Sequence, residues 1–301
     1  MVSHLCLEGG GVKGIAYAGA LRELEENGYI TLSELKGVAG SSAGAIAALL
    51  ISIGYTVDEM EKVLLEMNFN DYTVKKDCCG CGVFYGGWGY YTSSKMYEFI
   101  GNLIVNKLGA GTQDITFKEL FKKTKVDLVA TGTNLSWKRT DYFRKDTFPD
   151  MVVRKAVLIS SSFPYAFDAV EEEGCIYSDG GLLDNLPLVC FDNDGNGELN
   201  ENILALKLTT PEEFKRTKTD ISSLSKFSTA IIDSMSVEID RLQDEVVTRT
   251  RRGIIQINTK HVDTLDFDMS DETKELLINE GSKAVQLYFK PSSKSTSTDS
   301  S

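Results

Sequence analysis

The chain has 301 residues, 42% of them hydrophobic and 25% charged, and its 44 acidic against 32 basic side chains leave a formal charge of −12 at pH 7. This is an ordinary globular composition with material for a large core, and the acidic balance argues against broad adhesion to nucleic acid or to an anionic membrane. No stretch approaches the length of a transmembrane helix, and the N-terminus enters a strand pattern without room for a signal peptide. The expectation is therefore a cytoplasmic protein whose contact with membranes, if any, is peripheral and made through local apolar surface.

In chain order, residues 3–8 predict a buried first strand. Gly9-Gly10-Gly11-Val12-Lys13-Gly14 then leads into a helix over 15–27 that Gly28 ends. A glycine-rich turn at a helix start exposes backbone N–H groups at the positive end of the helix, which suits an anionic oxygen. Gly9, Gly11 and Gly14 also satisfy GxGxxG, but a dinucleotide site expects an acidic ribose ligand at the end of the second strand. That strand, 37–39, runs instead into Gly40-Ser41-Ser42-Ala43-Gly44 and a helix that Gly54 closes. GxSxG holds a serine on a sharp strand-to-helix turn, where side chains at 40 and 44 would collide. Ser42 is thus a candidate nucleophile and residues 9–14 its candidate oxyanion hole, the alternative being a tight turn that only packs helix on strand.

Thr56-Val-Asp-Glu59 and Thr116-Phe-Lys-Glu119 read as capping boxes opening helices, and Ser93 as the cap of a helix through about 107. Residues 78–91 mix glycine with Phe84, Tyr85, Trp88, Tyr90 and Tyr91 in a loop that reads equally as a lid, an interfacial patch or core filling. Cys78, Cys79 and Cys81 lack the partners of a zinc site, whereas Cys6, Cys175 and Cys190 lie in apolar runs and look like small buried hydrophobes. Lys118, Lys122, Lys123 and Lys125 form a basic run best read as a solvated face. Strands follow over 126–133 and at 142–143, and then a helix over 151–160 that ends in Ser160-Ser161-Ser162-Phe163-Pro164. Asp179 closes a short strand before Gly180 and Gly181, a pattern shared by ordinary turns and catalytic carboxylates. Residues 192–198 imitate the start of an EF-hand loop but place Ile203 where its bidentate glutamate belongs, so a polar surface loop is expected. Strands at 203–208 and 253–258 and helices over 222–249 and 270–290 complete the pattern. From Pro291 a Ser/Thr-rich tail reads as disordered. Alternation of strands and helices predicts an α/β fold with a mostly parallel sheet.

Gly9 to Gly14, Gly40 to Gly44 and Asp179-Gly180-Gly181, in that order, resemble the patatin-like phospholipase family. The likeness continues through Phe148-Pro-Asp, Ala156, Ser160 to Pro164 and Tyr177 to Pro187. The resemblance implies a three-layer α/β/α fold over 1–290 as one catalytic domain followed by a tail at 291–301. It also implies hydrolysis of acyl esters in membrane phospholipid or another acyl lipid by a Ser42–Asp179 dyad, with no metal or other cofactor. Lys13 stands where an arginine is frequent, keeping the charge without the guanidinium fork. In such a mechanism Asp179 must be partly desolvated or held very close to Ser42 to act as a base, and backbone N–H groups of Gly10 and Gly11 stabilise the oxyanion. Ser42, Asp179 and His261 also occur in the order of an α/β-hydrolase triad, while His4 reads as a packed residue of the first strand. The competing readings are acyl transfer by the same dyad and a non-catalytic lipid- or nucleotide-binding module. Need for a protein activator is not legible from the residues.

Overall fold

A computed structural model describes residues 2–67, 71, 74–75, 89–192, 199–211, 221–222, 224–247 and 253–290. In chain order the elements are β1 (His4–Leu7), α1 (Ala16–Glu26), β2 (Gly37–Gly40), α2 (Ala43–Ser52), α3 (Val57–Glu66), β3 (Val74–Lys75), β4 (Gly89–Thr92), α4 (Ser94–Leu108), α5 (Phe117–Thr124), β5 (Asp127–Asn134), β6 (Arg139–Phe143), α6 (Val153–Ser160), β7 (Tyr165–Phe167), β8 (Val170–Glu172), β9 (Cys175–Asp179), β10 (Ile203–Thr209), α7 (Leu224–Val247), β11 (Gly253–Asn258) and α8 (Asp271–Phe289). The main sheet runs β11-β10-β1-β2-β5-β9-β8, with β6 also on β5. From β11 to β5 all pairs are parallel, and β6, β8 and β9 are antiparallel additions. The expected α/β class and mostly parallel sheet are present.

Residues alternate strictly between the sheet's two faces, as a period of two requires. Leu5, Leu7, Val38, Leu128, Ala130, Leu204 and Leu206 face the larger core, against the helices. Cys6, Ala39, Val129, Ile203 and Ala205 face a smaller one with Leu186, Leu188, Cys190 and Phe191. The layering is therefore lopsided: among the described residues the second face is covered by the 186–191 segment and its 3-10 turn. Both capping boxes form, with Thr56 and Thr116 accepting the Glu59 and Glu119 N–H groups. Ser93 does sit at the start of α4, but its hydroxyl caps no helix N–H. Cys6 and Cys190 are buried as expected, whereas Cys175 is only half-buried. His4 packs its ring on Phe191 at 4.6 Å. Residues 76–88 and 193–198, which hold most of the aromatic loop, its three cysteines and the EF-hand-like run, lie outside the described residues.

The sheet positions the chemistry at the carboxyl ends of β1 and β2, where parallel strands leave a crevice between diverging helices. β1 delivers the glycine turn and, paired beside it, β2 delivers Ser42. β9 brings Asp179 to the same edge from the opposite direction, with Asp179 opposite Gly132 of β5.

Candidate active site

Ser42 occupies a backbone conformation that side chains avoid, φ 50° and ψ −122°, between the end of β2 and the start of α2. Such strain costs about 1–3 kcal/mol and persists only where the surroundings over-determine it. Here two close approaches do so. A Cβ on Gly40 would meet the Gly44 carbonyl, and one on Gly44 would meet the carbonyls of Leu7 and Glu8, the latter at 2.7 Å. Glycine at both positions lets α2 lie hard against β1 and aim its N-terminus at the turn.

The C-terminal serines of α6 brace this turn from across the sheet. Ser160 Oγ accepts the Ser42 N–H at 3.0 Å, and Ser161 Oγ donates to the Ser42 carbonyl at 3.4 Å. The Ser162 carbonyl accepts from the Asp179 N–H and from Ser178 Oγ, each at 2.9 Å. One helix end therefore holds both Ser42 and Asp179. A fourth tie is Asn185, whose carbonyl accepts the Gly9 N–H at 3.1 Å while its Nδ2 donates to the Gly9 carbonyl at 3.3 Å, joining the glycine turn to the segment after Asp179.

Asp179 is 2% exposed. Its Oδ1 accepts the Gly181 N–H at 2.7 Å, and among the described residues its buried Oδ2 has no hydrogen-bond partner. Burial pushes its pKa up to about 7, against the lowering influence of the nearby Ser42 hydroxyl and the Gly181 N–H. Ser42 thus lies close enough to act on the carboxylate, without a hydrogen bond of ordinary length and angle; such pairs commonly tighten only when substrate is bound.

Within the glycine turn, the N–H of Gly9 is taken by Asn185, that of Val12 by the Thr264 carbonyl and that of Lys13 by the Gly10 carbonyl. The N–H groups of Gly10 and Gly11, and that of Ala43 beside Ser42, have no acceptor among the described residues. Of residues 9–14, Gly9, Gly10, Gly11 and Lys13 line the cavity; Val12 and Gly14 are buried behind it. Lys13 Nζ reaches Thr210 Oγ1 at 3.3 Å, and burial lowers its pKa, opposed by Asp263 and Glu8.

These groups open into one cavity of about 1010 Å³ that holds Ser42, Asp179, Gly181 and the glycine turn. Ile46, Met96, Phe163, Phe167, Leu182 and Val262 give it apolar walls. Gly180 lies behind the wall, against Thr131. His261 also lines the cavity but is exposed, and neither Asp179 oxygen accepts a hydrogen bond from it. Sequence reasoning missed the brace at Ser160 and the tie at Asn185. Both stand inside recognisable motifs, yet only a fold joins residues 118 and 176 positions apart.

The model of the family described as "Patatin-like phospholipase" matches residues 5–191. Protein R571 of Acanthamoeba polyphaga mimivirus is 29% identical over 287 residues, covering 95% of this chain and 93% of that protein. "Probable lipid hydrolase 463L" of Invertebrate iridescent virus 6 is 29% identical over 227 residues, 74% of each chain. The crystal structure of VipD from Legionella pneumophila superposes with a TM-score of 0.63 at 17% identity, covering 95% of this chain and 66% of that one, and so shares the fold. The family match spans all three motifs that meet in the cavity, and the chain belongs to the patatin-like phospholipase family.

Proposed function

We propose that the protein is a lipid acyl hydrolase of phospholipase A or lysophospholipase type, working through a Ser42–Asp179 dyad. The observation that carries this reading is Asp179 itself: a buried carboxyl raised to about 7, with one oxygen unpartnered, in the same cavity as a serine held on a strained turn. A pKa near neutrality suits a group that must both take and return a proton.

In this mechanism Ser42 Oγ attacks the ester carbonyl carbon and its proton passes to Asp179 Oδ2. The oxyanion forms against the N–H groups of Gly10 and Gly11, with the Ala43 N–H a third donor at the same wall. Collapse breaks the bond to the alcohol, which leaves with the proton from Asp179. Water then attacks the acyl-enzyme and gives a proton to Asp179, the Ser42 Oγ–acyl bond breaks, Asp179 returns the proton to Ser42 Oγ, and the fatty acid departs. The apolar walls suit an acyl chain, and the likeness to a probable lipid hydrolase, 463L, agrees with lipid as the substrate class. Residues 1–290 form one catalytic domain in this reading, because the strands on both sides of β1 belong to one sheet.

Fatty-acid release from mixed phospholipid vesicles tests the proposal. Ser42→Ala and Asp179→Ala should each lose about a thousandfold or more in rate, and His261→Ala should retain turnover. Equal release by all four proteins would end the mechanism, and abolished turnover in His261→Ala would replace the dyad by a triad.

A further inference from the structure

Asn185 ties down the glycine turn twice, and its side chain has an oxygen left over. Its main-chain carbonyl takes the Gly9 N–H at 3.1 Å, and its Nδ2 donates to the Gly9 carbonyl at 3.3 Å. A carbonyl can only accept, so the second bond fixes which way the amide faces and turns Oδ1 away from that carbonyl. Among the described residues no donor reaches Oδ1. Asn185 lines the cavity together with Gly9 and Gly181, and these two glycines bracket its free oxygen. A Cβ on Gly9 would run into Oδ1 and stand 3.0 Å from Ser42 Cβ; one on Gly181 would stand 2.6 Å from Oδ1 and 3.1 Å from Asp179 Oδ1. The missing side chains keep the oxygen open, within about 5–6 Å of both Ser42 Cβ and the Asp179 carboxyl, the span of a single bridging water.

We propose that Asn185 Oδ1 orients the water that attacks the acyl-enzyme, and so makes water a better acyl acceptor than an alcohol. The proposal rests on the reading of Ser42 as nucleophile and Asp179 as base. An attacking water has two O–H bonds. Asp179 takes the proton of one, and the other needs an acceptor, whereas the free groups beside Ser42, the N–H of Gly10, Gly11 and Ala43, are all donors. Held by the carboxylate and by Oδ1, the water oxygen presents a lone pair to the acyl carbon. The carbon–oxygen bond forms as Asp179 receives the first proton. The second proton stays on that oxygen, bonded to Oδ1, and becomes the hydrogen of the fatty acid when the Ser42 Oγ–carbon bond breaks and Asp179 returns its proton to Ser42 Oγ. An alcohol has one O–H, which the base takes, and nothing for Oδ1 to hold. Formation of the acyl-enzyme uses no water and does not need Oδ1.

The test is the partition of the acyl-enzyme between two acceptors. With 4-nitrophenyl butyrate in buffer containing methanol, the ratio of methyl ester to free acid reads that partition whichever step limits turnover. Asn185→Leu, which removes the amide at similar volume, should raise the ratio by about tenfold. A fluorophosphonate, whose reaction with Ser42 uses no water, should label the same variant within about threefold of the wild-type rate, because the nucleophile and its base stay in place. Asn185→Ala should show the same two results, so the outcome does not hang on the folding of one variant. An unchanged ratio, or a labelling rate that falls tenfold or more together with hydrolysis, overturns the proposal and leaves Asn185 as a brace of the glycine turn only. Failure of the underlying reading shows separately, as ester and acid still formed by Ser42→Ala.

Discussion

Asp179 occupies surroundings that oppose its own charge. An aspartate in the unfolded chain has a pKa of 3.8, and in the folded protein burial raises it to about 7. Between those values the folded protein keeps a proton that the unfolded chain has released. Stability present below about pH 4 is therefore lost as pH rises towards 7, by an amount on the order of 4 kcal/mol. Asp179→Asn keeps the shape and the bond from Gly181 without the charge. It should raise the thermal midpoint by roughly 5 °C at pH 8 and change it little at pH 4, while turnover is lost. A lower midpoint at pH 8 would mean that the carboxylate is better solvated than its burial implies. Lys13 carries the converse strain on a cation at the same cavity, lowered by desolvation although Asp263 and Glu8 partly offset it.

At the scale of elements, the end of α6 does what no single catalytic residue can. Its three serines hold the elbow by Ser160 and Ser161 and the Asp179 strand by Ser162. Ser160 is fully buried, so Ser160→Ala leaves the Ser42 N–H without its acceptor, a loss of about 1–3 kcal/mol in stability. If the brace sets the geometry of the dyad, kcat should also fall by about tenfold with KM unchanged, because a slight displacement of a nucleophile acts on the reaction and not on substrate binding. A melting shift with unchanged kcat would make Ser160 a packing residue only. The capping boxes at Thr56 and Thr116, the glycine stop at Gly54 and the continuous apolar runs of β1 and β10 are legible in the sequence because each is a local pattern of a few residues. The direction of β9 is not: Cys175 to Asp179 reads as a strand, but nothing local tells it to run antiparallel to β5. β7 and β8, at three residues each, are too short to show a period. Asp179 and Ser42 are recognisable as motif residues, whereas the buried, unpartnered Oδ2 that gives Asp179 its basicity depends on packing across the sheet.

Across the whole molecule, the family's three motifs end before residue 191, and the chain beyond it supplies the rest of the site. β10 and β11 extend the sheet past β1, with the Glu8 carboxylate accepting the Leu208 N–H at 2.5 Å just ahead of the glycine turn. The segment from His261 to Phe267 forms part of the cavity wall, and Thr264 anchors Val12. α8 lies on α1 closely enough that a Cβ on Gly281 would meet the Ala16 carbonyl, which fixes the helix that the glycine turn begins. No helix among the described residues is long and apolar enough to cross a membrane. The proposed mechanism rests on a base at residue 179 acting on a nucleophile at residue 42. The most direct measurement is covalent labelling by a fluorophosphonate, followed by intact mass and peptide mapping, as a function of pH. The prediction is a single adduct on Ser42 whose rate of formation rises about tenfold per pH unit towards a plateau above pH 7, and falls by about a thousandfold or more in Asp179→Asn. An adduct on another residue, or a rate on Ser42 that Asp179→Asn leaves unchanged, would contradict it.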